Sequence, residues 1–279
     1  MIIITGASGQ VGSNIIRELQ NQNKPVKAVL RNPEKARDFT NVEVADFFDQ
    51  EAMKKAFKGG ETVFLITPEN PFSTDVFSET RAILNNYRAA LVDSGIKKLV
   101  GLSSLGAQHP AGTGNLVMSY MLEHAFDELS VEKTFIRPAY YFSNWLGFAD
   151  SVRETGILPT FFPPSLKIAM ISPTDVAKFA ADILLKYQGG LLEIMGLDAY
   201  SSQEVADAFG IILGKKVEAQ QIPRENWETT LKEVGFSDNA TFNMIQMTEA
   251  VIDGKTQPDQ QVVKLPTDLM SYLSIQLNK

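Results

Sequence analysis

The stretch MIIITGASGQVG, residues 1–12, decides the fold. Its apolar run and Thr5 read as a buried strand over residues 2–5, glycines follow at 6, 9 and 12, and Val11, Ile15, Ile16 and Leu19 then mark one face of a helix over 10–22. Strand, glycine turn and helix in that order open a βαβ unit. In this spacing Gly6 permits the tight turn, Gly9 lets the backbone approach a pyrophosphate, and Gly12 allows helix and strand to come close. Ala7 sits inside the loop, and the amides of Ser8, Gly9, Gln10 and Val11 face a phosphate at the helix N-terminus, where the helix dipole favours an anion. A glycine turn without a ligand is the alternative, and the flanking strand and helix favour the nucleotide.

The same rhythm continues outward. PVKAVL (25–30) reads as a second strand, NPEKARDF (32–39) as a short helix with Pro33 in its first turn, and VEVADF (42–47) as a third strand. ETVFLIT (61–67) and IKKLVGLSS (96–104) are the fourth and fifth strands, separated by a helix over 77–95 that ends at Gly95. A helix around 117–129 and a sixth strand, EKTFIRP (132–138), follow. Strands rich in Ile, Val and Leu that alternate with helices predict an α/β fold, a Rossmann-type doubly wound parallel sheet. Residues 1–150 form the expected dinucleotide-binding domain, with a helix over 171–187 and a strand over 191–196 returning to its sheet. The rest of 151–279 is the expected smaller, mostly helical lobe that covers the substrate, including a capped helix over 201–214 in which Ser202 precedes Glu204 and Val205.

Composition narrows the chemistry. The 26 basic and 33 acidic residues give a net charge of −7, which disfavours nucleic acid and anionic lipid as partners. There is no cysteine, so thiolate and disulfide chemistry is excluded, and two histidines are few for a metal centre. No basic segment precedes the first apolar run, which is too short for a signal peptide or a membrane span, so a cytoplasmic protein is expected.

Arg31 stands 19 residues after Gly12, where an NAD-binding chain usually places a carboxylate for the ribose hydroxyls. An arginine there suits a 2′-phosphate, with Asn32 and Lys35 to assist, so NADP(H) is favoured over NAD(H); an ordinary exposed arginine is the alternative. Asp46 is placed either to accept from an adenine amino group, with Phe47 against the ring, or to cap the next turn. Thr67, at the carboxyl end of the fourth strand, is expected near the nicotinamide half.

TGASGQVG, AVLRNPEKA, VEVADFFD, LVGLSSLGA, TFIRPAYYFSN, SPTDVAKFAADIL and YSSQEVADAF together resemble an atypical short-chain dehydrogenase/reductase of the NmrA-like group, to about residue 225. The resemblance implies NADPH-dependent quinone oxidoreductases, NADP-binding redox sensors and reductases similar to isoflavone reductase as models, and the group often carries the label nucleoside-diphosphate-sugar epimerase. Its wider relatives use a serine and a Tyr-x-x-x-Lys pair for proton transfer. Ser103 or Ser104 matches the serine. Aligned on Glu123 and on FIRP, Asn115 falls where the tyrosine belongs and Ser119 where the lysine belongs.

Tyr120 and His124 are spaced like a substitute, but their five-residue offset rotates them about 140° around a helix, onto a packing or solvent face. His109, in GAQHPAGTG (106–114), is either a substrate contact or solvated surface. RPAYYFSNW (137–145) brings Pro138, Tyr140 and Tyr141 to the carboxyl edge to back the nicotinamide, and TFFPP (160–164) is a second candidate pocket wall; ordinary contact between lobes is the other reading of both. The function expected is hydride transfer from NADPH to a small aromatic or quinone-like acceptor by a monomer or homodimer. A non-catalytic NADP(H) sensor is the alternative, and an epimerase, which must deprotonate a specific hydroxyl, fits the missing pair less well.

Overall fold

Every residue of Ile2–Thr5 is buried, so the strand they form must be covered on both faces, and the fold follows from that demand. The computed structural model describes residues 1–92, 94–186, 189–259 and 261–278. The first half runs β1 (Ile2–Thr5), α1 (Gln10–Asn21), β2 (Val26–Leu30), β3 (Val42–Val44), α2 (Gln50–Phe57), β4 (Thr62–Ile66), α3 (Val76–Val92), β5 (Lys98–Leu102), α4 (Leu116–His124) and β6 (Glu132–Pro138). The second half runs β7 (Tyr140–Tyr141), α5 (Ala149–Thr155), β8 (Ile157–Thr160), β9 (Ile168–Ile171), α6 (Pro173–Lys186), β10 (Gly190–Met195), β11 (Ala199–Tyr200), α7 (Ser202–Leu213), β12 (Glu218–Gln221), α8 (Trp227–Glu233), α9 (Asp238–Ile252), β13 (Val263–Lys264) and α10 (Leu269–Leu277).

Eight strands pair in the order β13-β10-β6-β5-β4-β1-β2-β3, all in parallel. This is the Rossmann-type arrangement, with the order reversing between β1 and β4. Side chains alternate across it: Ile2 and Ile4 face α1 and α6 through Ile15, Leu19, Ala177 and Ala181, whereas Ile3, Val63 and Leu99 face Met53 of α2, Ile83 and Tyr87 of α3 and Leu122 of α4. Two apolar layers close on one sheet.

A third cluster, built on Phe142, Trp145, Phe162, Phe209 and Tyr272, forms beyond β6. It carries two short sheets, β11-β9-β7 and β12-β8, that the sequence reading did not anticipate. Helix α6 and strand β10 return to the main sheet as expected, and β13 joins them at its edge.

Several boundaries differ for local reasons. Strand β3 stops at Val44 rather than 47, because the Asp46 carboxylate accepts from the Phe48 amide and the Asp46 carbonyl from that of Asp49, which turns the chain. The turn leads into α2, where Asp49 caps Ala52 and Met53, Ala56 and Phe57 make the buried face. The expected helix over 77–95 is observed as Val76–Val92, Asp93 lies outside the described residues, and Gly95 has a left-handed φ of 80°. That over 171–187 is observed to Lys186, with Tyr187 outside the described residues. Helix α7 is capped by Ser201, not Ser202, in a reciprocal pair with Glu204.

Beneath the carboxyl edge lies a buried ion cluster. Arg137 on β6 donates from Nε and Nη2 to the two oxygens of Glu123 on α4, at 2.8 and 2.7 Å, and from Nη1 to Glu193 on β10 at 3.3 Å. Asp259 approaches the same Nη1 at 3.7 Å. Burial alone would lower the pKa of the guanidinium, but the bonds and charges of Glu123 and Glu193 outweigh it and hold the value above that of free arginine. Arg137→Ala strands two buried carboxylates and is expected to cost about 3–5 kcal/mol, read as a lowered urea midpoint.

Candidate functional site

The loop between β1 and α1 is shaped by close approach. Gly6 has φ of 63°, and a Cβ there would lie 2.2 Å from Ile66 Cδ1 at the end of β4. A Cβ on Gly12 would lie 2.4 Å from the Gly6 carbonyl oxygen, so α1 is pressed directly on the turn. Gly9 is the N-cap of α1 in extended conformation; no side chain caps the helix, and no acidic residue stands in its first turn. Ser8, Gly9 and Gln10 are exposed, whereas Ala7 and Val11 bury their side chains in the core and leave only backbone to a ligand. The result is an uncapped positive helix end, open to an anion at the strand-order reversal.

Arg31 follows β2 on the same edge and is exposed. Its guanidinium lies 5.7 Å from the Phe47 ring centroid, and among the described residues no carboxylate pairs with it. Lys35 is exposed beside it, whereas Asn32 is committed to capping the next turn, where its Oδ1 accepts from the Glu34 amide. Phe47 is only 2% exposed and packs edge-on to Tyr87 at 5.8 Å. Asp46 is exposed and caps the turn as described above, so of its two readings the geometry supplies the turn.

The expected catalytic candidates are mostly occupied. Ser103 is buried and donates to Glu123 at 2.5 Å, which joins it to the Arg137 cluster rather than to open space. Ser104 donates to the Leu105 carbonyl. His109 Nε2 lies 3.2 Å from the Lys255 carbonyl oxygen, so it ties its loop to the C-terminal lobe. The Tyr120 and His124 rings lie tilted against each other with centroids 4.3 Å apart, and His124 Nδ1 lies 3.2 Å from Asp127 Oδ2 on the exposed side of α4. The segments FIRP and Glu123, used to align the sequence, are in direct contact through Arg137. That alignment leaves Asn115 and Ser119, both buried, at the tyrosine and lysine positions.

Glu69 was not singled out from sequence. It lies three residues past the end of β4, and its Oε2 is 3.5 Å from Asn115 Nδ2, while Asn115 Oδ1 has no hydrogen-bond partner among the described residues. Glu69 is an exposed residue; desolvation nevertheless raises its pKa, and the Asn115 bond offsets this only in part. Tyr140 and Tyr141 of β7 share this environment. Burial pushes the Tyr140 phenol up to about 12, with Asn144 opposing and the Glu69 charge reinforcing the shift, and raises Tyr141 likewise. The Tyr140 ring is fixed edge-to-face by Trp145 at 5.9 Å and by Phe162 of the TFFPP segment at 5.7 Å. Thr67 is half-buried between Ile66 and this cluster, and Pro138 is buried at the end of β6. Among the described residues no group of three or more His, Asp or Glu is placed to hold a metal ion, and no helix is long and apolar enough to cross a membrane.

The model of the NmrA-like family matches residues 1–273. The chain belongs to the NmrA-like family. Within reach of it in sequence, the NAD(P)H azoreductase of Xenophilus azovorans is 27% identical over 261 residues, which span 88% of this chain and 86% of that protein. Quinone oxidoreductase 2 of Escherichia coli strain K12 is 28% identical over 250 residues, spanning 85% and 83%. The crystal structure of an NADPH-dependent quinone oxidoreductase from Escherichia coli, complexed with NADPH, matches with a TM-score of 0.83 over 100% of both chains at 25% identity. The chain therefore carries the family's fold over residues 1–273.

The raised Glu69 pKa makes a stability statement with a definite sign. The folded chain keeps a proton that the unfolded chain releases near its ordinary value of 4.5, so this group's stabilising contribution is complete below that pH and is lost as pH rises through the folded value. Glu69→Gln is expected to raise the melting temperature relative to the native chain at pH 8 and to leave it unchanged at pH 4, as read by calorimetry.

Proposed function

We propose that this chain is an NADPH-dependent reductase that delivers hydride to a small aromatic or quinone-type acceptor. One observation carries the cofactor: the uncapped N-terminus of α1 lies on the same edge as Arg31, a cation without a carboxylate partner among the described residues. In this reading the amides of Ser8, Gly9, Gln10 and Val11 hold the pyrophosphate. Arg31 and Lys35 hold the 2′-phosphate, while Thr67, Pro138 and Tyr140 border the nicotinamide. NADPH supplies the hydride when bound. The chain's own work is to orient the acceptor against it and to exclude water, for which the aromatic wall of Tyr140, Trp145 and Phe162 is suited.

Residues 1–150, with the returning elements around 171–196, form the cofactor-holding unit in this proposal, and the remainder of 151–279 covers the acceptor. The relatives named as azoreductase and quinone oxidoreductase support an acceptor that takes two electrons directly. The form proposed is a cytosolic monomer or homodimer. An NADP(H) sensor is the second reading, favoured by one feature, the buried Asn115 and Ser119 at the positions of the missing pair.

The two readings part in a simple assay. NADPH oxidation with a panel of benzoquinones, naphthoquinones and azo dyes is expected to show turnover on at least one acceptor. Tight NADPH binding, followed by fluorescence, without turnover on any of them would overturn the reductase reading in favour of the sensor. Arg31→Ala is expected to weaken NADP binding about 10–100-fold, the worth of one or two charge-assisted bonds to phosphate, and to leave NAD binding unchanged. Equal loss for both dinucleotides would remove Arg31 from the 2′-phosphate site.

A further inference from the structure

We propose that the Glu69 carboxyl group, at the carboxyl edge of β4 against Asn115, is the general acid of this site and hands a proton to the acceptor as the acceptor is reduced. The proposal rests on the reductase reading above and adds to it the proton source.

Position is the first ground. Ile66 at the end of β4 abuts Gly6, so the loop that carries Glu69 leaves the sheet directly beside the glycine turn, at the reversal of strand order. Three separate chain segments meet there: Glu69 after β4, Asn115 before α4, and Tyr140 and Tyr141 after β6. Asn115 is 8% exposed, so it offers Glu69 a fixed amide rather than a mobile surface partner. Glu69 is exposed, which gives the carboxylate a route to recover its proton.

Elimination is the second. Ser103 is locked to Glu123, Ser104 to a backbone carbonyl, His109 to the Lys255 carbonyl, and His124 to Asp127. Tyr140 and Tyr141, the titratable groups that interact with Glu69, hold their phenol protons too tightly to give them up near neutrality. Glu69 is desolvated enough to retain a proton above the ordinary carboxylate range and exposed enough to exchange it. These are the two properties a general acid needs.

The reaction balances. A quinone takes two electrons and one proton as hydride, with oxidation of NADPH to NADP⁺. The O–H bond of Glu69 breaks as an O–H bond forms on the second quinone oxygen, the product is the hydroquinone, and solvent returns a proton to the carboxylate. Azo acceptors fit the same scheme, with nitrogen in place of oxygen.

The test compares the native chain with Glu69→Gln, Glu69→Asp and Asn115→Ala, using menadione as the probe acceptor. Glu69→Gln is expected to lower kcat by about 100-fold or more, the usual share of a general acid, with NADPH affinity by fluorescence unchanged. The native profile of kcat should fall on its alkaline side as Glu69 ionises, and this limb should vanish in Glu69→Gln and persist at reduced rate in Glu69→Asp. The bond from Asn115 favours the ionised carboxylate, so Asn115→Ala should move the limb to higher pH. Infrared spectroscopy of the cofactor-free protein provides a readout apart from turnover: in a pH titration the native chain should show a protonated-carboxyl stretch that persists above the ordinary carboxylate range and that Glu69→Gln lacks. A Glu69→Gln protein that keeps native kcat and the alkaline limb overturns the proton assignment and leaves the reductase reading intact. A native chain that binds NADPH and turns over no acceptor overturns both.

Discussion

The carboxyl edge of this protein is organised by one guanidinium. Arg137 gathers Glu123 from α4, Glu193 from β10 and Asp259 from the loop before β13, while Ser103 at the end of β5 donates into the same carboxylate. Taking these charges out of water is expensive, and their mutual attraction repays it only because the geometry is close to ideal, with a two-point contact from Arg137 to Glu123. Such a cluster contributes little net stability compared with an apolar replacement. Its effect here is positional: it fixes the ends of neighbouring strands and the start of the C-terminal lobe, between which the candidate site lies.

That arrangement explains why a serine that resembles a catalytic one sits in the wall. The Ser103 hydroxyl is directed inward to Glu123, and the two segments useful for alignment, FIRP and Glu123, are both members of the ion cluster. A sequence similarity centred on them reports a shared scaffold. It carries no direct information on the proton chemistry.

Much of the fold was legible because its signals are local. Strand β6 was expected and found at residues 132–138, and the parallel sheet followed from buried apolar strands alternating with helices. Gly6 and Gly12 were legible for a similar reason, since each is required by an approach that any side chain would block. Strands of two residues, such as β7 and β11, have no period to detect, and their pairing with β9 is set by the lobe's aromatic cluster. Helix α2 has one short buried face and was hidden by the expected extension of β3 through Asp46. Glu69 could not be read at all. An acidic residue between Thr67, Pro68 and Asn70 looks like ordinary surface, and only folding brings it to Asn115, 46 positions away.

The burial of Asn115 also has a structural cause within this chain. Helix α9 lies over the start of α4: Ala240 packs against Met118 and Val76, and Asn239 accepts from the Val76 amide. The cover reaches the residue before Asn115, since a Cβ on Gly114 would lie 1.9 Å from the Asn243 carbonyl oxygen, and Asn115 itself is 8% exposed. A tyrosine at 115 would have to displace the cover. The loop after β4 is the segment that meets Asn115, through a Glu69 that is itself exposed, which is why the proposed proton donor is placed on that loop rather than on α4.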